Sequence, residues 1–102
     1  MVISGFDWDE HNRGKCQKHG VSTDEIEALF LTGLVIRPDV AHSGKEERLL
    51  AIGKSQVGRW IFLAFAIRGS ADEILVRPIS TRYMHRREVE HYEKENSGPL
   101  DG

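Results

Sequence analysis

The chain has very little cysteine and no long apolar segment. Cys16 is the single cysteine among 102 residues, so an intrachain disulfide and a CxxC zinc pair are both excluded. The longest apolar run, over residues 60–67, is far shorter than the roughly 20 residues that cross a bilayer. The N-terminus has no basic region followed by a long apolar stretch, so we expect no secretory signal and a cytoplasmic location.

Familiar catalytic and metal-binding motifs are also missing. The sequence contains no HExxH, P-loop, G-x-G-x-x-G or G-x-S-x-G pattern. Its five histidines form no close cluster with the cysteine, and we therefore expect no metal site and no cofactor. The formal net charge is −2, so the molecule as a whole does not strongly attract nucleic acid. Phosphate binding would require a local basic patch.

Length and capping signals predict a single domain that begins with two helices. The chain is long enough for one core, and we assign residues 1–96 to one domain and residues 97–102 to a flexible tail. Asp7 and Glu10 have capping-box spacing at the start of a helix predicted over residues 8–19. Ser22 and Glu25 form a second capping box, and Gly33 is placed to end the helix that follows. The two helices should form a hairpin.

The middle of the chain predicts strands joined by short turns. Apolar residues mark strands over residues 34–37, 47–54 and 59–67, and a fourth strand begins at Glu73. The strand over residues 59–67 is apolar on both faces, which is typical of an internal strand. Short turns favour an antiparallel sheet. The predicted fold class is α+β, with two N-terminal helices, an antiparallel β-sheet and a C-terminal helix, all helices lying against one face of the sheet.

The fourth strand leads into the last helix through a basic junction. Ser80 or Thr81 is placed to cap this helix. Bases then fill its first turn and a half and acids follow, although the helix dipole favours the opposite order. The bases are Arg82, His85, Arg86 and Arg87. One interpretation is an anion site at the helix start. The other is a solvated helix whose arginines pair with acids elsewhere in the fold.

Acid–base cleavage of RNA is a chemistry that these residue types allow. It requires a base for the ribose 2′-hydroxyl, an acid for the leaving oxygen and cations around the phosphate. His85 and His19 can act as base or acid near neutral pH, and Tyr83 or Tyr92 can stack on a base or transfer a proton. The structural alternatives are that His19 only ends a helix and that Tyr92 only packs on the sheet. The residues expected to line one concave, phosphate-sized patch are Arg77, Arg82, Arg86 and His85.

Several short motifs along the chain form one recognisable series. The more specific motifs are Lys18-His19-Gly20-Val21 and the junction Ile79-Ser80-Thr81-Arg82. The other stretches of the series are FDWDE at 6–10, Glu25, Phe30, EER at 46–48, IG at 52–53, RP at 77–78, RRE at 86–88 and YE at 92–93. Together they cover nearly the whole chain. In order and at matching spacing, they resemble the BrnT family of ribonuclease toxins, which have a RelE-like fold.

The resemblance implies RNA cleavage, with or without the ribosome, and neutralisation by a cognate small DNA-binding antitoxin. RNA would be the substrate, no membrane would be involved, and DNA would be contacted only through the antitoxin. We therefore predict an endoribonuclease toxin of a type II pair that inhibits translation by metal-independent, general acid–base cleavage. The alternative, favoured by the overall acidity, is a non-catalytic partner-binding module that retains the toxin fold. The candidate catalytic residues are His85, Arg77, Arg82, Lys18, His19 and Tyr92, and the candidate RNA-binding residues are Arg86, Arg87 and Tyr83.

Overall fold

The chain folds into a five-stranded sheet and three α-helices, as seen in a computed structural model that describes residues 3–42, 44, 46–70 and 72–97. The elements in chain order are β1 (Gly5–Phe6), α1 (Glu10–Gln17), α2 (Thr23–Thr32), β2 (Leu34–Pro38), β3 (Arg48–Lys54), β4 (Trp60–Ser70), β5 (Glu73–Tyr83) and α3 (Arg86–Ser97). A short 3₁₀ turn, Val40–His42, follows β2. The predicted α+β class is confirmed. No helix in the described ranges is long and apolar enough to span a membrane.

The strand order in the sheet is β1-β5-β4-β3-β2. Successive strands from β2 to β5 pair antiparallel, and β4 lies in the middle, as its two apolar faces predict. The expectation of a wholly antiparallel sheet is wrong for β1, because Gly5 and Phe6 pair parallel to Leu75 and Val76. β1 pairs with a strand about 70 residues later in the chain and not through a hairpin. No turn motif in the sequence therefore indicates this pairing.

One face of the sheet carries the core beneath α1 and α2. Ile61, Leu63 and Phe65 of β4 are fully buried against Ile26 and Leu29 of α2. Full burial of a side chain of this size stabilises the fold by roughly 1.5–3 kcal/mol. Helix α2 is placed on this face by its sequence, since its apolar residues fall on one stripe and its start is capped as predicted. The cap is reciprocal, with the Ser22 hydroxyl accepting from the Glu25 amide at 3.1 Å and the Glu25 carboxylate accepting from the Ser22 amide at 3.2 Å.

Helix α1 begins at a different capping box from the predicted one. The predicted pair, Asp7 and Glu10, is wrong. The Asp9 carboxylate accepts from the Asn12 backbone amide at 2.9 Å, and the Asn12 side-chain oxygen accepts from the Asp9 backbone amide at 2.7 Å. The buried Asn12 side chain also donates to the carbonyls of Asp7 and Pro78, both at 2.9 Å. These bonds tie the helix start to β5. The helix ends at Gln17, two residues earlier than predicted.

The junction between β5 and α3 also differs from the prediction. Ser80 and Thr81 do not cap a helix, because β5 continues to Tyr83 and α3 begins only at Arg86. The Thr81 hydroxyl instead donates to the Cys16 carbonyl at 2.6 Å, which holds the end of α1 against the strand. The C-terminal tail was predicted over residues 97–102, but Ser97 is the last residue of α3. Residues 98–102 lie outside the described residues.

Helix α3 lies on the face of the sheet opposite α1 and α2. The Tyr92 ring meets the Trp60 ring edge to face at 5.3 Å between centroids. The groove beneath α3 is floored by Ile52 and Phe62, which are directly opposite each other in the β3–β4 register. Their strand neighbours Ile61 and Leu63 face the other helices. The prediction that all helices share one face is therefore wrong for α3.

Candidate active site

The end of the sheet where β4 begins and β5 ends carries a cleft rich in titratable groups. The turn between α1 and α2 passes over this end. The β4–β5 ladder reaches the last pair, Ile61 with Tyr83, and one more bond from the Met84 amide to the Trp60 carbonyl extends it. We call the resulting space the terminal cleft. It has a volume of about 380 Å³ and is lined by His19, Arg59, Arg82, Tyr83, Met84 and His85.

Tyr83 is held firmly at one wall of the terminal cleft. Its hydroxyl donates to the Glu25 carboxylate, whose two oxygens lie 2.9 and 2.8 Å away. Burial and the bond to Glu25 both raise the pKa of the phenol. The Arg59 guanidinium carbon lies 3.5 Å from the ring centroid on the ring face. Tyr83 therefore stays neutral, and one face of its ring is covered by a cation.

Arg82 forms a two-pronged ion pair with the first turn of α3. Its two terminal nitrogens donate to the two Glu88 oxygens at 2.7 and 2.8 Å. The bond to Arg82, together with the His85 backbone amide, lowers the pKa of Glu88 to about 2. The same bond raises the pKa of Arg82. Both groups are thus charged at neutral pH, and the guanidinium is fixed in orientation, with its Nε–H outside this pair.

Two imidazoles reach the terminal cleft from different elements. His19 follows α1 in the turn toward α2, and His85 precedes α3. Both are exposed to solvent. The His85 backbone amide donates to Glu88 at 2.9 Å, which fixes the backbone from which this imidazole projects. The structure thus brings together four of the predicted site residues, namely His19, Arg82, Tyr83 and His85.

Arg77 does not join this group, and the predicted single patch is wrong in that respect. It precedes Arg82 by five residues on the same strand, a separation of roughly 16 Å in extended chain. Its guanidinium pairs with Asp9 at 2.7 Å and with Asp7 at 3.5 Å, and the bond to Asp9 raises its pKa. We call its surroundings the Arg77 cleft, which is lined by His11, Asn12, Lys15, Glu46, Arg68, Arg77, Pro78 and Ile79.

The other predicted residues lie around the terminal cleft without lining it. Arg86 was predicted to line the phosphate patch, and that prediction is wrong. Its side chain is exposed on α3 and pairs with Glu90 at 3.2 Å. Arg87 is exposed one residue further on, and Lys18 is exposed beside His19. Tyr92 lies in the groove beneath α3, where its ring packs on Trp60 as the structural alternative proposed.

Arg59, Glu25 and Glu88 are the residues of this site that the sequence interpretation missed. A usable signal for Arg59 existed in the turn between β4 and β5. If β4 and β5 form a hairpin at that turn, residues equally far from the turn lie opposite each other. Residue 59 then lies opposite the segment just after Tyr83. The partners of Glu25 and Glu88 carry no such signal, because each bond depends on how separate elements pack.

The remaining reactive groups of the described residues give no second centre. No three His, Cys, Asp or Glu side chains in the described ranges lie together as a metal site. Cys16 is fully buried, and burial raises its thiol pKa to about 11. A thiol of that pKa is a weak nucleophile at neutral pH. Cys16 is instead a small packing residue of α1 in the core.

Comparison with known proteins agrees with the resemblance seen in the motifs. Residues 8–88 match the family described as the ribonuclease toxin BrnT of type II toxin–antitoxin systems. The matched range includes α1, α2, all strands from β2 to β5, and every residue that lines the terminal cleft. No curated protein matches the chain. Because the family match spans most of its length, the chain belongs to the BrnT family of ribonuclease toxins of type II toxin–antitoxin systems.

Proposed function

We propose that this toxin is an endoribonuclease that cleaves RNA at the terminal cleft by general acid–base catalysis, without a metal ion. The observation that carries the proposal is the meeting of two imidazoles and two guanidinium groups in one cleft. An imidazole titrates near neutral pH, so one can accept a proton while the other supplies one. Guanidinium groups suit a phosphate that gains charge in the transition state.

The proposed reaction uses the ribose 2′-hydroxyl as the nucleophile. His85 removes its proton, the 2′-oxygen attacks phosphorus, and the bond from phosphorus to the 5′-oxygen breaks. His19 gives a proton to the departing 5′-oxygen. The products are a 2′,3′-cyclic phosphate and a 5′-hydroxyl end. Lys18 lies beside His19 and is a second candidate for the acid.

Arg82 is the proposed phosphate ligand. Its pair with Glu88 uses one hydrogen on each terminal nitrogen, and one of these nitrogens also donates to the Tyr83 carbonyl at 3.5 Å. The Nε–H and one hydrogen on the other terminal nitrogen remain for other acceptors. Glu88 therefore orients the Arg82 guanidinium, and the remaining N–H donors of Arg82 can face a phosphate oxygen. Arg59 adds a second positive charge to the cleft. Arg87 is exposed at the adjacent start of α3, and its proposed role is to contact RNA further from the scissile bond.

The partner follows from the family. A type II toxin has an antitoxin partner. We propose that this antitoxin is a small DNA-binding protein, that the toxin meets DNA only through it, and that both act in the cytoplasm to limit translation. Co-expression with the product of the neighbouring gene, followed by size-exclusion chromatography, tests the partner. Separate elution of the two proteins at micromolar concentration would contradict it.

Cleavage of single-stranded RNA in the presence of EDTA tests the reaction. We expect cleavage to continue and the new 3′ ends to carry cyclic phosphate, which acid treatment opens to a mixture of 2′- and 3′-monophosphates. Loss of activity in EDTA that Mg²⁺ restores would contradict metal independence. Absence of cleavage under all conditions, with retained antitoxin binding, would favour the non-catalytic module that the net charge of −2 suggests.

A further inference from the structure

The contact between Arg59 and Tyr83 has a geometry that limits what each group can bind. With 3.5 Å between the guanidinium carbon and the ring centroid, the two planes must be nearly parallel. A steeply tilted guanidinium at that distance would push a nitrogen into the ring carbons. The Tyr83 face beneath Arg59 is therefore closed to any ligand. The outer face of the guanidinium remains, and Arg59 is an exposed residue.

The platform under Arg59 is rigid. Tyr83 belongs to β5, where it pairs with Ile61, and its hydroxyl is held by Glu25. Glu25 is itself fixed in the capping box of α2. Gly20 passes near the ring edge, where a Cβ built on it would lie 3.9 Å from a ring carbon. The strand pairing and the bond to Glu25 hold the ring in place when a ligand approaches the arginine.

Arg59 also differs from the arginines of this chain that form ion pairs. Arg82, Arg86, Arg77 and Arg68 each pair with a carboxylate. Within the described part of the chain, Arg59 makes no ion pair, and its guanidinium contacts an aromatic ring instead. A planar cation that is laid flat on a fixed ring and left open on its other side is a stacking surface.

We propose that the outer face of Arg59 binds an RNA nucleobase by stacking, on the nucleotide next to the scissile phosphate. This inference rests on the proposed function, because it places the RNA in the terminal cleft. Unpaired RNA bases stack on aromatic rings and on guanidinium planes. Tyr83 was predicted to take that role, but its ring is covered, so the base meets Arg59 and Tyr83 acts as the support. The stacking accepts any base and favours single-stranded RNA.

The test compares a planar and a non-planar cation at the same position. Cleavage of a mixed-sequence RNA by the native toxin first locates a cut site. A short RNA centred on it, with a 2′-deoxyribose at the cut nucleotide, then binds without being cleaved. Matched RNAs carry one abasic nucleotide at each position in turn. Dissociation constants are measured for the native chain, Arg59→Lys, and Arg13→Lys as the control, since Arg13 lies 6.0 Å over the Trp8 ring away from the cleft.

We expect Arg59→Lys to weaken binding of the intact RNA about tenfold, the usual effect of losing one stacked base. One abasic position beside the cut site should weaken native binding equally, and Arg59→Lys should add nothing on that RNA. Arg13→Lys should match the native chain throughout. Native-like binding by Arg59→Lys, or an equal loss on every abasic RNA, would overturn the stacking site while leaving cleavage intact. A native toxin that neither binds nor cleaves RNA would overturn both proposals.

Discussion

The terminal cleft and the Arg77 cleft lie along the same strand, and each contains two arginines, yet their chemistry differs. In the Arg77 cleft, Arg77 pairs with Asp7 and Asp9, and Arg68 pairs with Glu46. In the terminal cleft Arg82 pairs with Glu88, while Arg59 lies on a ring and two imidazoles are exposed nearby. The Arg77 cleft pairs both of its arginines with carboxylates, although His11 and Lys15 also line it, whereas the terminal cleft combines a guanidinium stacked on a ring with two exposed imidazoles.

The different partners of the arginines in the two clefts show that an arginine-rich sequence does not by itself indicate a phosphate site. Arg77 ties β5 to the segment between β1 and α1, and the buried Asn12 strengthens the same tie by bonding the Asp7 and Pro78 carbonyls. That corner of the molecule is built to hold elements together. The opposite end of β5 has room and unmatched charge, which are the conditions for binding a phosphate ligand.

Paired arginine variants give the largest expected contrast between the clefts. Arg82→Ala removes a donor proposed to act on the transition state, so we expect the RNA cleavage rate to fall by about 10²–10³. Arg77→Ala lies in the other cleft, so its folded protein should cleave RNA at close to the native rate while melting at a lower temperature. Cleavage rates and thermal unfolding are measured on the same preparations.

Arg13→Ala serves as the control for removing a positive charge, because Arg13 is exposed and lines neither cleft. It should match the native chain in rate. A folded Arg82→Ala protein with native activity would remove this arginine from the mechanism. A comparable loss in Arg77→Ala would show that the Arg77 cleft also takes part in the reaction.

Asn12→Ala tests whether the Arg77 cleft is structural. The substitution removes two side-chain bonds to buried or half-buried carbonyls and one half of the α1 capping box. We expect the free energy of unfolding in urea to fall by about 2–3 kcal/mol. The folded fraction should retain its cleavage rate. Unchanged stability in this variant would contradict the assignment of this corner to holding α1 on β5.

The pair in the terminal cleft gives a smaller, pH-dependent effect. The pKa of Glu88 falls from its ordinary 4.5 to about 2 in the folded chain, so its contribution to stability is full above pH 4.5. That contribution is lost as the pH falls from 4.5 toward 2. Because the pair is about one-third exposed, we expect Glu88→Gln to cost only about 1 kcal/mol at neutral pH.

Urea unfolding of both chains across this pH range checks the prediction. The stability difference between the native chain and Glu88→Gln should shrink steadily below pH 4.5. It should vanish only as the pH falls through about 2, where Glu88 becomes protonated in the folded chain and resembles glutamine. A difference that is constant with pH would mean that the ion pair with Arg82 is not the source of the stabilisation.

Sequence reasoning succeeded where local signals decide the structure. The capping box at Ser22 and Glu25, the end of α2 at Gly33, and the central place of β4 were all readable from neighbouring residues. It failed at the end of β5, where Ser80 and Thr81 look like caps. There the pairing with β4 continues the strand, and the Thr81 hydroxyl bonds a carbonyl 65 residues away in sequence.

The candidate site was predictable only in part for the same reason. His19, Arg82, Tyr83 and His85 were chosen by residue type, and the structure brings them to one cleft. Arg77 was grouped with them because it is close in sequence, but extended chain separates residues quickly. Glu25 was assigned a capping role and counted among the family-matching residues, but its bond to Tyr83, 58 residues away in sequence, was not foreseen.

The most direct test of the central claim is the cleavage rate of His85→Ala, measured in EDTA beside His19→Ala and the native chain. A general base or acid contributes about 10²–10⁴ to a rate. We expect each variant to lose activity on that scale and to fold like the native chain. Each should also lose one limb of the pH–rate profile, because one proton carrier is gone. Native activity in His85→Ala would contradict the account, since proton transfer would then belong to His19, Lys18 or a tyrosine.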